Sequence, residues 1–216
     1  EWNFKGGVLS GAASLMPVVG ARLTFGGARP AVQENRQAIL TGDGLGAADL
    51  TNVDFTNALT HSYCGGVLNV GATGTVTMSV GGFRDIKAVN VSGGYAFVFQ
   101  NYGTLTMRDV EVTDVHVTGS APLFLNQGTM TMTGSSIHDN TVSGPQTYTT
   151  QGGLFRTTGG SLTIHDTSIR DNHLKTEASV QGGLFYVSAG SPSRFPLSGA
   201  TIIEDNVVSQ MGSNPV

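Results

Sequence analysis

The sequence predicts an all-β fold, a single-stranded right-handed parallel β-helix with three short strands in each coil of about 28–31 residues. Three observations predict it. The first is a repeat: QGGLFRTTGGSLTIHDTSIRDNHL at 151–174 returns after QGGLFYVSAG at 181–190, leading to Leu197, Ile202, Asn206 and Val208, with weaker copies near 121, 93 and 65. The second position of each unit falls at Gly66, Gly94, Pro122, Gly153 and Gly183, in steps of 28, 28, 31 and 30 residues. That length suits one supersecondary unit that stacks on its neighbours, not a packed domain. The second observation is alternation, as in Val76-Thr77-Met78, Leu105-Thr106-Met107, Met130-Thr131-Met132 and Leu162-Thr163-Ile164; a period of two means strand. The third is punctuation by Gly, Asn, Asp and Ser, which divides each unit into three short strands. No window keeps the i, i+3, i+4, i+7 spacing of a helical repeat, and the LxxLxLxxN spacing of leucine-rich repeats is absent. Right-handedness is the usual sense of parallel crossovers.

Taken in order, residues 1–63 read as irregular first coils. KGGVLS at 5–10 echoes CGGVLN at 64–69, and Leu23-Thr24-Phe25 echoes the alternating strand. Residues 8–19 have the outline of a signal peptide after Lys5, but they repeat a later motif and hold Pro17, which favours a coil. Residues 48–52 and 53–57 resemble pentapeptide repeats; Leu50 and Phe55 also lie five apart, like Ile164 and Ile169, so another coil of the main repeat is the simpler reading. Residues 64–208 hold five regular coils without a linker, and 209–216 read as a frayed end. The whole, 1–216, is one domain, and a start at Glu1 without an initiator Met suggests a processed chain or a piece of a longer one.

Composition bounds the partners. There are 31 glycines and only 12% charged residues, which suits many tight turns and a surface of Ser, Thr and Asn. A net charge of -4 leaves no basic footprint for nucleic acid. Cys64 is the only cysteine, so no internal disulfide forms. No stretch reaches the roughly 18 apolar residues needed to span a bilayer.

Coils that stack at the strand spacing of about 4.8 Å place like residues in columns. Leu105, Met130 and Leu162 form one apolar column, and Met107, Met132 and Ile164 the next; Ile86, Val112, Ile137, Ile169 and Ile202 form another. Asn140, Asn172 and Asn206 form a polar column, read as a buried amide ladder with Val89 and Val115 in the same place in the earlier coils.

The units GGLF…SLTI…IRDN resemble the chlamydial polymorphic outer-membrane-protein repeat, whose hallmarks are GGA[ILV] and FxxN tetrapeptides. The first appears as 65-GGVL, 152-GGLF and 182-GGLF; the second as 137-IHDN, 169-IRDN and, loosely, 203-IEDN, with the family's Ala and Phe replaced. The resemblance covers about two thirds of the chain. It implies a right-handed parallel β-helix with an adhesive or scaffolding role, usually within a longer chain.

Three surface features are candidates for chemistry. A double column of hydroxyls, Thr75 and Thr77, Thr104 and Thr106, Thr129 and Thr131, Ser161 and Thr163, faces out on one strand of successive coils and ends at Arg194 and Pro196. Flat TxT arrays order water in ice-binding solenoids; Thr is also the favoured exposed strand residue. An acidic line, Asp114, Asp139, Asp171 and Glu204, follows the isoleucine column by two residues, with His138 and Arg170 beside it. Paired carboxylates serve hydrolases and Ca²⁺-dependent lyases, but no catalytic motif accompanies them, and a solvated turn is the favoured reading. In the GGLF segments both members of Val67/Leu68, Leu123/Phe124, Leu154/Phe155 and Leu184/Phe185 are apolar, so one column should leave the interior as an exposed ridge. The histidines at 61, 116, 138, 165 and 173 are scattered and read as surface residues, and Asn90-Val91-Ser92 is a glycosylation sequon. Phosphate-loop, HExxH, CxxC and GxSxG motifs are absent.

The expectation is a non-enzymatic structural or adhesive module of an extracellular or cell-surface assembly, without catalytic residues, cofactor or metal. Its partner is a protein or the remainder of a longer chain, at the C-terminal coil and along the GGLF face; carbohydrate is a further partner class. An ice-binding solenoid and a β-helical polysaccharide lyase or hydrolase are the alternatives.

Overall fold

The computed structural model describes residues 67–89, 98–119, 121–144, 153–176, 183–188 and 194–210 continuously, with short strands between residues 2 and 61 and at 150–151 and 180–181. Every strand pairing is parallel and no helix occurs among the described residues, so the protein is an all-β solenoid of stacked coils. On one side Thr75–Val89 follows Ala47–Thr51, Asp54–Thr56 and Leu59–His61 and precedes Thr104–Thr118. Thr104–Thr118 then pairs with Thr129–Thr133, Ser136–His138 and Thr141–Gly144. Those three pair with Ser161–His165, Ser168–Arg170 and His173–Thr176, and these with Leu197–Ser198, Ile202–Glu204 and Val207–Gln210. A second sheet stacks Leu40–Thr41, Leu68–Val70, Phe99–Asn101, Phe124–Asn126, Phe155–Thr158 and Phe185–Ser188. Asn90, Cys64 and residues 211–216 lie outside the described residues.

The two 15-residue strands are not straight. Thr75–Val89 carries left-handed residues at Val80 (φ 51°) and Asp85 (φ 51°), and Thr104–Thr118 carries them at Asp109 (φ 52°) and Asp114 (φ 52°). Each therefore comprises three short segments around two corners, the arrangement that the punctuation predicts. A third corner is built from glycines. A Cβ on Gly128 would lie 2.1 Å from the Gly103 carbonyl oxygen, and one on Gly160 would lie 2.0 Å from that of Gly128. Only glycine lets successive coils approach this closely.

The interior is one apolar cluster. Leu105, Met130 and Leu162 are buried in register, as are Met107, Met132 and Ile164. A file of phenylalanines runs along the axis: Phe55 and Phe83 stack at 4.7 Å, Phe99 and Phe124 at 4.3 Å, Phe124 and Phe155 at 4.6 Å, and Phe155 and Phe185 at 5.2 Å. Phe83 meets Phe99 edge-on at 4.5 Å and so links the file across the coil. Ring pairs of this kind add about 0.5–1.5 kcal/mol each beyond their burial.

The expected ridge does not form. Val67, Leu123 and Leu154 belong to the same core as Leu68, Phe124 and Phe155, and Leu184 packs against it. The first residue of each pair lies in the bend before the strand, where strict alternation of faces does not apply, so both members turn inward.

Register corrects two columns. Phe83, not Ile86, precedes Val112, and Ile86 precedes Val115. Thr75–Val89 and Thr104–Thr118 match residue for residue. In the last coil Ile203, not Ile202, continues Val112, Ile137 and Ile169, while Ile202 pairs with Ser168 on the outer face. The corner between Ser198 and Ile202 is one residue longer than that between His165 and Ser168, and one residue reverses the face.

Polar ladders line the inner corners. Asn140 receives the Val115 N–H, Asn172 receives those of the Asn140 backbone and amide, and Asn206 receives those of Asn172, at 2.8–3.2 Å. Their amides also donate to the carbonyls of Val112, Ile137 and Ile169. Ile86 and Val115 hold this place in earlier coils; Val89 instead pairs with Thr118. At the other left-handed corner Ser135 Oγ accepts from the Val110 N–H and Thr167 Oγ1 from the Ser135 N–H. Replacing Asn172 by Leu, a residue of tolerated shape, leaves the Asn140 N–H and the Ile137 carbonyl unpaired. The expected cost is about 1–3 kcal/mol, measured by urea unfolding; a loss below half a kcal/mol rejects the ladder as a stabilising element.

Candidate functional site

The hydroxyl array stands as two columns in register. Thr75, Thr104, Thr129 and Ser161 follow one another, and so do Thr77, Thr106, Thr131 and Thr163. Between them lie the buried Val76, Leu105, Met130 and Leu162, so the hydroxyls face outward; the first three of the first column are exposed and the rest are half-buried. Asp49 precedes Thr77, and Arg194 follows Ser161, which bounds the array at both ends.

The acidic line belongs to the backbone. Asp85, Asp114, Asp139, Asp171 and Asp205 all have φ between 50° and 56°, at the same corner of successive coils. Asp tolerates the left-handed region because its short side chain bonds locally, where most residues lose about 1–2 kcal/mol. Asp205 rather than Glu204 ends the line, since Glu204 pairs with Arg170 in the preceding column. The other left-handed corner alternates: Asp109, Gly134, Asp166 and Gly199 follow Val80. Asp109 Oδ1 lies 2.4 Å from where a Gly134 Cβ would be, and Asp166 Oδ1 2.2 Å from that of Gly199. Each aspartate thus leans over the glycine of the next coil, and like charges do not stack.

The continuous line needs another remedy, and at Asp114, Asp139 and Asp171 the preceding residue provides it. His138 Nδ1 contacts Asp139 Oδ2 at 2.7 Å, Arg170 Nη1 donates to Asp171 at 2.8 Å, and Thr113 Oγ1 donates to Asp114 at 3.4 Å. A cross-coil network extends this. Arg84 donates to Glu111 at 2.7 and 2.8 Å, and Glu111 Oε1 meets His138 Nε2 at 3.2 Å. The Arg84 guanidinium lies over Gly82, where a Cβ would collide with it at 2.8 Å. Arg84 holds the Glu111 carboxyl below the ordinary glutamate range; burial opposes this and His138 assists. All four groups are partly exposed, so each pair contributes only about 0–1 kcal/mol.

Both His138 nitrogens face carboxylate oxygens, Nδ1 that of Asp139 at 2.7 Å and Nε2 that of Glu111 at 3.2 Å. Among the described residues no group of three His, Cys, Asp or Glu is placed to hold a metal ion, and no helix is long and apolar enough to cross a membrane. His116 and His173 are exposed, and His165 bonds Ser198 and Asp166. The charges of Arg84, Glu111 and His138 escape sequence reading because they meet only across coils, 27 residues apart.

Compared with family models, curated proteins and solved structures, the chain matches none.

If the aspartates serve the corner, conformation decides their replacement. Asp139→Val is expected to destabilise by about 1–2 kcal/mol, whereas Val80→Gly, which relieves a β-branched residue at φ 51°, is expected to raise the melting temperature. Thermal unfolding of both variants checks this, and equal effects on both reject it.

Proposed function

We propose that the protein is a non-enzymatic structural or adhesive module of an extracellular surface assembly. One observation carries the reading. In the last described coil Leu197, Ile203 and Val208 are 39–46% exposed, while their column mates Ile164, Ile169 and Leu174 are buried. The strands Leu197–Ser198, Ile202–Glu204 and Val207–Gln210 are paired on one edge only among the described residues. An apolar end with open parallel edges favours a further coil laid upon it. The GGVL/GGLF and IHDN/IRDN motifs support the surface setting by resemblance to repeats of bacterial surface proteins, and the low charge with abundant Ser and Thr is compatible with it.

The test is the association state of the 216-residue chain in analytical ultracentrifugation across a concentration series. Association, or uptake into a larger assembly, is expected, and Ile203→Lys with Val208→Lys should weaken it at least tenfold. A wild-type chain that stays monomeric at all concentrations, with no uptake, sinks the reading.

The two in-register hydroxyl columns favour a second reading, an ice-binding face. Its spacing is about 4.8 Å between coils and about 6.7 Å along the strand. That reading expects thermal hysteresis lost in Thr106→Tyr; absence of hysteresis in the unaltered chain removes it.

A further inference from the structure

The second sheet has an outward face apart from both surface features above. Its outward column reads Asn69, Gln100, Leu125, Arg156 and Tyr186. On the last two strands, Arg156 pairs with Tyr186 and Thr158 with Ser188, and all four side chains are half-buried. They make a two-by-two grid of hydrogen-bonding groups, about 4.8 Å across coils and about 6.7 Å along the strand. Leu125, buried, flanks Arg156 on the other side.

Arg156 is the charged member. Its Nε, like Asn69 Oδ1 in the same column, is buried and has no hydrogen-bond partner. Arg84 and Arg170 hold Glu111 and Asp171, while Lys87, Arg108, Lys175 and Arg194 are exposed to water. A guanidinium nitrogen taken from water without an acceptor costs about 1–3 kcal/mol. In a chain with more acidic than basic residues, no described carboxylate meets it.

We propose that Arg156, Thr158, Tyr186 and Ser188 form a binding site for a uronic-acid-bearing oligosaccharide. The guanidinium takes the carboxylate through charge-assisted bonds. The hydroxyls of Thr158, Ser188 and Tyr186 both donate and accept, as sugar hydroxyls require, and the Tyr186 ring offers an apolar face to the pyranose. One cation among three hydroxyls matches one carboxylate among hydroxyls. An acidic peptide would bring several charges to a single cation. The site does not rest on the assembly reading: binding here and association through the last coil succeed or fail separately.

The experiment titrates the 216-residue chain with trigalacturonate, its neutral methyl ester and tetraglutamate, by calorimetry. Trigalacturonate is expected to bind saturably, and the ester about tenfold or more weakly. Arg156→Gln should match that loss, Arg156→Lys should retain part of the affinity, and Thr158→Ala should weaken binding severalfold, each with an unchanged melting temperature. If Arg156→Gln does not fold, the ester comparison and Arg156→Lys decide. No saturable binding, equal binding of the ester, or unchanged affinity in the arginine variants overturns the site. Tetraglutamate bound as tightly as trigalacturonate overturns the saccharide assignment.

Discussion

Parallel stacking in register is the constraint on which the structure depends. Each residue sits directly above its counterpart one coil away, so a side chain must suit its own copy as well as its local strand. Phenylalanine meets that demand by face stacking, from Phe99 through Phe124 and Phe155 to Phe185. Asparagine meets it by passing an N–H to the next amide oxygen, from Asn140 to Asn172 to Asn206. Carboxylates fail it: Asp109 and Asp166 alternate with glycine, and Asp139, Asp171 and Asp114 lean on His138, Arg170 and Thr113. Side chains with no self-complementary stacking survive only where a neighbouring column compensates.

The corners obey the same constraint through the backbone. A coil that turns with a left-handed residue forces the next coil to do so at the same place, since the edges are hydrogen-bonded in parallel. Two columns of left-handed residues result, and each is followed inside by a residue that holds the turn: Asn140 and Asn172 at one corner, Ser135 and Thr167 at the other. Where Ile86 and Val115 replace the amides, apolar packing substitutes for the ladder. Asn101 and Asn126 make a shorter ladder on the second sheet, ending at Thr157, whose buried hydroxyl has no partner.

Much of this was legible because period-two alternation and a repeat near 30 residues leave few alternatives. The columns of Met107, Met132 and Ile164 and of the three asparagines follow from counting within a unit. Counting fails where a corner changes length. The extra residue between Ser198 and Ile202 puts Ile203 inward and replaces Glu204 by Asp205 in the acidic line. The ridge of GGLF segments was misread for a different reason. Alternation holds within a strand, not across the bend where Leu123 and Leu154 sit. The meaning of the aspartates was hidden too, because a left-handed φ leaves no mark in composition other than Asp, Asn or Gly, and a carboxylate reads first as a charge.

The same constraint separates surface that serves the fold from surface free for other uses. The Arg84–Glu111–His138 network and the Asp139 and Asp171 members of the acidic line are committed: each of these charges already faces another, and His138 is held from both sides. The hydroxyl columns are uncommitted but uniform, a surface that repeats without discriminating. The grid around Arg156 is different in kind. From Gln100 onward its column changes character at each coil, from amide to leucine to guanidinium to phenol, so stacking does not select it. A position that breaks the like-on-like rule, and leaves a buried guanidinium nitrogen unpaired in doing so, is where a solenoid of this kind has room to recognise something outside itself.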